Sequence, residues 1–257
     1  MGRYVELGGV RSWYGEQGAG DPLVLLHPGL VDARAFGPNL DVWSERFHTF
    51  TPERRGHGHT PDVEEPLTFE QMAQDTVAFI DTVVGQPTRL LGVSDGAIVA
   101  LLTAVRRPDL VTRLVVIAGP AHHHGWLPEA IDPANEAPEF MHAAYGEVSP
   151  DGIHHYRVVL QKMAETHQVE PTLTPADLGG IDCRTLVMVG DDDEVRLEHA
   201  IEMYRSLPNG ELAVVPGTSH GLLVEKPQLC NRMILDFLEH EAVPTLAPIR
   251  RRDTAAP

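Results

Sequence analysis

The chain is poor in cysteine, with only Cys183 and Cys230 in 257 residues. Two thiols so far apart make no disulfide framework, so a reducing compartment is expected. Positive charge is also scarce: 20 Lys and Arg stand against 37 Asp and Glu, a formal net charge of −17. Nucleic acid and anionic membrane surfaces need a basic face, so neither is expected as a partner. Apolar runs fall far short of the roughly 20 residues that span a bilayer. The start, MGRYVELGGV, lacks the basic-then-apolar order of a signal peptide. A cytoplasmic location is expected. No internal repeat, Gly-rich phosphate loop or dinucleotide fingerprint occurs, so no cofactor is implied.

What is present is an ordinary globular composition, 42% hydrophobic. Tyr4–Leu7 and Val10–Tyr14 flank Gly8-Gly9, a hairpin pattern. Short apolar runs follow at Leu23–Leu26, His48–Pro52 (the most mixed), Arg89–Val93, Leu114–Ala118, Thr185–Val189 and Leu212–Val215. Such runs suit strands buried on both faces. Helical patterns lie between them: Thr68–Val84, opened by a capping box with Gln71 at its third position, then Ala97–Val105, Arg196–Leu207 and Glu225–Glu241. The alternation predicts an α/β fold with a mostly parallel sheet. It is interrupted at residues 120–184, too long for one crossover helix, with helix candidates at Asn135–Gly146 and Asp151–Gln168 and a turn at Pro175–Gly179. An insertion of that size reads as a functional lid. The expected division is a core of residues 1–119 and 185–241, a cap of 120–184, and a fraying tail of 242–257.

Gly92-Val93-Ser94-Asp95-Gly96 follows a strand pattern and precedes a helical one. That is the setting of a nucleophile elbow, a sharp strand-to-helix turn in which larger neighbours would collide. The backbone N–H groups at the helix start can stabilise a developing oxyanion. A serine is a weak nucleophile and needs a base; the base needs an acid to orient it. Both types appear downstream in the required order, each just after a strand candidate: Asp191-Asp192-Asp193-Glu194, then Ser219-His220.

With these motifs, and with Leu25-Leu26-His27-Pro28-Gly29, Arg54–Thr60 and Gly217-Thr218-Ser219-His220, the chain resembles the α/β-hydrolase family from about Tyr4 to Glu241. Within it the chain looks like the smaller esterase, lactonase and carbon–carbon hydrolase branch. The resemblance implies a mostly parallel eight-stranded sheet flanked by helices, with a helical cap between strands 6 and 7. It implies Ser94 as nucleophile, His220 as base and, by the Gly-x-x-Asp spacing, Asp193 as acid. Some members carry the acid after the sixth strand; Gly119-Pro120 offers none there. The implied oxyanion donors are the Asp95 N–H and one from the loop after the third strand. Pro28 has no N–H, so Gly29 or Leu30 supplies it, with Leu30 preferred. A serine at 94 excludes the haloalkane dehalogenases and epoxide hydrolases of this fold, which use aspartate. Ser94-Asp95-Gly96 is also similar to the valacyclovir-hydrolase-like branch, which takes amino-acid esters.

The expected activity is hydrolysis of a carboxylic ester or lactone of a small, partly apolar molecule through an acyl-enzyme. Carbon–carbon or amide hydrolysis by the same triad is the alternative, and a ligand-binding receptor on this fold is the third reading. Monomer and homodimer both remain open. Candidate pocket residues are His27, His123, Trp126 and Tyr145, with His27 also read as a brace for its loop. Asp95 has three readings for its carboxylate: helix-dipole pairing, loop holding, or a cation subsite. Seven of 14 histidines fall within 120–184. The triplet His122-His123-His124 is expected on an extended strand end, which cannot aim three rings at one ion, so no metal is expected.

Overall fold

The N-terminal alternation folds as β1 (Arg3–Leu7) and β2 (Val10–Gln17), antiparallel, in a computed structural model that describes residues 2–248. Gly8 and Gly9 take φ of 54° and 81°, the positive values a two-residue hairpin turn of this type requires. Then come β3 (Pro22–Leu26), α1 (Pro38–Ser44), β4 (His48–Pro52), α2 (Phe69–Phe79), β5 (Thr88–Val93), α3 (Asp95–Arg106) and β6 (Val111–Ile117). The inserted segment holds α4 (Glu139–Val148), α5 (Tyr156–His167) and α6 (Pro175–Leu178). The chain ends its described part with β7 (Arg184–Asp192), α7 (Leu197–Ser206), β8 (Gly210–Ser219), α8 (Leu222–Glu225) and α9 (Pro227–Glu239).

The eight strands form one sheet in the order β1-β2-β4-β3-β5-β6-β7-β8. Only the pairings of β2, with β1 and with β4, are antiparallel. Its two faces explain the continuous apolar runs. Val24, Leu26 and Leu90 enter one core with residues of α2 and α3. Leu23, Leu25 and Leu91 enter the other, with Trp43 of α1 and Ile234 of α9. A strand covered on both sides needs no polar alternation. No helix among the described residues is long and apolar enough to cross a membrane.

Several local expectations are corrected. Thr68 caps α2 by accepting the Gln71 N–H at 3.1 Å, but the Gln71 side chain donates onward to Asp75, so half of the capping box forms. The helix expected over Glu225–Glu241 runs as α9 from Pro227, in its first turn as expected, to Glu239, and the separate short α8 precedes it. The helix expected from Asn135 begins at Glu139, immediately after Pro138. His123–Gly125 form a 3-10 turn, where an extended end was expected. Residues 242–248 contain no helix or strand; the remainder of the expected tail, 249–257, lies outside the described residues.

Candidate active site

Ser94 sits between β5 and α3 with φ 55° and ψ −121°, a strained conformation for a residue with a side chain. The flanking glycines are required by different neighbours. A Cβ on Gly92 would lie 2.1 Å from the Gly96 carbonyl oxygen, whereas one on Gly96 would lie 2.1 Å from that of Leu26. The turn is therefore pressed against itself on one side and against the end of β3 on the other.

The carboxyl ends of β5, β7 and β8 bring three sequence-distant side chains together. Ser94 Oγ lies 3.0 Å from His220 Nε2, and His220 Nδ1 lies 2.9 Å from Asp193 Oδ1. Asp193 also accepts the N–H groups of Gly190 and Val195, at 3.0 and 3.1 Å. Its carboxyl is held below its ordinary range: burial opposes ionisation, and the His220 contact and these backbone donors outweigh it. Asp191 instead accepts the Thr218 N–H, bracing the loop that carries the histidine. For His220, burial alone would lower the pKa; the hydrogen bond and charge of Asp193, with Glu194 and Asp95, raise it above the ordinary value. Ser94 is only 9% exposed.

The loop after β3 lies beside the elbow. A Cβ on Gly29 would sit 1.9 Å from Asp95 Oδ2. Leu30 has φ 60°, and its carbonyl accepts from the Tyr156 hydroxyl of α5 at 3.4 Å. The buried Arg54 guanidinium donates to the carbonyls of His27 at 2.5 Å and Pro28 at 2.9 Å, which holds both oxygens on the inner side of the loop. Burial lowers the Arg54 pKa to about 10, still cationic at neutral pH. Around it, Glu53 receives the His59 N–H and Arg55 pairs with Asp75, a turn network and not an open clamp.

The pocket candidates separate. His27 is fully buried, its Nε2 accepting the Arg54 N–H at 3.3 Å and its Nδ1 2.7 Å from the Pro28 carbonyl, contacts that fit its reading as a brace for the loop. Trp126 is brought to the site, its ring 5.9 Å from that of His220. Tyr145 packs within the inserted segment, 5.2 Å from the Tyr156 ring. His123 stacks with His122 and His124.

Sequence reasoning missed one partner. His167, at the end of α5, places Nε2 2.7 Å from Asp95 Oδ1 in a nearly closed environment. It stood in the sequence only as one histidine among seven. Asp95 Oδ2 has no hydrogen-bond partner among the described residues. The carboxylate one residue after Ser94 is thus tied to the inserted segment through one oxygen.

A model for the alpha/beta hydrolase family matches residues 23–233. A relative from Acinetobacter baylyi, (E)-2-((N-methylformamido)methylene)succinate hydrolase, is 26% identical, covering 88% of this chain and 93% of its own. Serine hydrolase BPHL from Homo sapiens is 26% identical, covering 91% of this chain and 85% of its own. The crystal structure of the enol-lactonase from Burkholderia xenovorans is similar with a TM-score of 0.75 at 20% identity, covering 93% of this chain and 100% of that one.

Proposed function

This chain belongs to the alpha/beta hydrolase family, and from that premise we propose that it cleaves a carboxylic ester or lactone of a small, partly apolar molecule through an acyl-enzyme at Ser94. The observation that carries the reading is the continuous relay from Ser94 Oγ through His220 to Asp193. His220 Nε2 takes the hydroxyl proton as Oγ bonds to the carbonyl carbon. The carbonyl π electrons move onto oxygen, and the Asp95 and Leu30 N–H groups, with Gly29 as the alternative donor, hold that oxyanion. Collapse expels the alkoxide, which takes the proton from His220. Water then attacks the acyl group by the same steps and frees Ser94. Asp193 stabilises the imidazolium and fixes its tautomer. In this reading residues 120–184 act as the cap, and Trp126 lines the pocket.

Kinetics on a panel of activated esters, lactones, amides and vinylogous diketones test the bond class. The highest kcat/KM is expected on an ester or a lactone; a preference for amide or diketone would reject the assignment. A fluorophosphonate probe is expected to label Ser94, and an unlabelled protein would argue for an inert binder.

The pH dependence follows from the sign of the His220 shift. The base works when neutral, so kcat/KM is expected to rise with pH through a midpoint above the ordinary histidine value of about 6.5. Glu194, with Oε2 3.8 Å from His220 Nε2, favours the charged ring. Glu194→Gln is therefore expected to move the midpoint to lower pH while keeping the relay. A midpoint unchanged in the variant would remove Glu194 from this role.

A further inference from the structure

The inserted segment leaves and rejoins the core through two strands of chain that bond to each other. Leu173 N–H donates to the Ala121 carbonyl at 2.9 Å and His123 N–H to that of Pro171 at 2.7 Å, flanking a bridge between His122 and Thr172. At this crossing the chain turns through His122, His123 and His124. The turn is tight because the Gly125 N–H donates to the His122 carbonyl at 2.7 Å. Gly125 also lies so close to His199 that a Cβ would meet its Cδ2 at 2.3 Å.

The turn puts all three imidazoles on one side. Ring centroids are 4.1 to 4.7 Å apart, and one nitrogen from each ring lies within 4.8 Å of the others. A tetrahedral zinc with Zn–N bonds of about 2.05 Å spaces its nitrogens about 3.3 Å apart, a change that side-chain rotation covers. We propose that His122, His123 and His124 form a binding site for one divalent transition-metal ion, of the zinc class that imidazole favours, at the hinge of the inserted segment. His122 and His123 are half-buried and His124 is exposed, so an ion enters from solvent. A cleft of about 340 Å³, lined in part by His122, His124, Arg196, His199 and Glu202, opens beside the turn and leaves room for water ligands.

The electrostatics agree. Partial burial, then the neighbouring imidazoles, lower the pKa of His122 and His123, which keeps their lone pairs free at neutral pH. His199 is not a fourth ligand, because its Nε2 accepts the Ala121 N–H at 3.1 Å. It supports the turn from behind. His122 Nδ1 accepts the His124 N–H at 3.2 Å. Ligation through either nitrogen of that ring releases this N–H to the solvent that reaches the turn. An ion held here fixes the turn of the outgoing passage, whose backbone is paired with the returning one.

The test is a calorimetric titration of the tag-free full chain with zinc chloride near neutral pH, beside thermal unfolding with and without zinc. One saturable equivalent and a zinc-dependent rise in Tm are expected. His122→Gln and His124→Gln are each expected to weaken binding by about tenfold or more and to reduce the Tm rise accordingly. The metal-free Tm of each variant shows that it folds, and His124→Gln, at the most exposed ring, is the gentler change. No saturable binding up to about 1 mM zinc would overturn the site. So would a titration left unchanged when His122→Gln and His124→Gln are combined in one chain, which would place the ion elsewhere.

Discussion

Ser94→Ala is expected to lower kcat on an activated short-chain ester by about 10⁴-fold or more, leaving only what the oxyanion donors and substrate positioning contribute. The size follows from the arrangement of the relay. His220 already lies 3.0 Å from Oγ and is oriented by Asp193 at 2.9 Å. Removing Oγ deletes the bond-forming atom while every supporting contact remains. Asp193 keeps its two backbone donors, and the elbow glycines keep their close approaches. Position 94 demands positive φ of serine and alanine alike, so the fold is expected to survive. Stopped-time ester assays and fluorophosphonate labelling of wild type and variant read the result. Near-wild-type turnover by the alanine variant would remove Ser94 as the nucleophile.

His167→Gln is expected to have the largest effect on stability, about 3 kcal/mol or more, because it strands a buried carboxylate. Asp95 is 2% exposed, and its other oxygen has no hydrogen-bond partner among the described residues. Arg54 and His57 also face this carboxylate, and Glu194 faces His167. For a chain of this size the loss corresponds to roughly 10 °C in Tm. Asp95→Asn in the same chain is expected to restore part of it, because the uncompensated charge is then gone. A His167→Gln protein that melts with the wild type would overturn the pair.

The same pair carries a pH signature. Burial disfavours the His167 cation, but the charge and hydrogen bond of Asp95 raise its pKa above the ordinary value. Its contribution is fully present below about 6.5 and fades as pH rises through the raised folded value. Burial likewise opposes Asp95 ionisation, and His167, Arg54 and His57 lower its pKa. That contribution is present above the ordinary carboxylate value of about 3.9 and fades as pH falls through the lowered one. The wild-type advantage in Tm over His167→Gln is therefore expected to be greatest in weak acid and to shrink toward alkaline pH. An advantage constant across that range would mean packing and not charge.

The sheet, the elbow and the order of the relay were legible because each rests on a local rule. Leu23–Leu26 is apolar throughout because both faces of β3 are covered. Gly92 and Gly96 announce a turn that no larger residue can make. Asp193 was harder to single out among three consecutive aspartates, since only the Gly-x-x-Asp spacing of the resembled family marked it. His167 was not legible at all. Its partner lies 72 positions earlier in the chain, and nothing in the local sequence of α5 marks that end of the helix as buried. The 3-10 turn at His123–Gly125 was hidden for a related reason. It is held by chain returning from the far end of the insertion, a pairing with no signal in the triplet itself.

Helix α5 touches the catalytic region at both ends. Tyr156 meets the Leu30 carbonyl in its first turn, and His167 meets Asp95 in its last. They are the first and last of the 12 residues of α5, a rigid bar of roughly 16 Å. Between them Lys162 and Thr166 anchor the bar to Asp62 and to the Leu67 carbonyl. A pivot about either end of the bar is opposed by the two anchors between them as well as by the contact at the far end. An opening that displaces α5 as a unit must break all four contacts together. Solvent viscosity is expected to slow turnover wherever that step, and not bond cleavage, limits the rate.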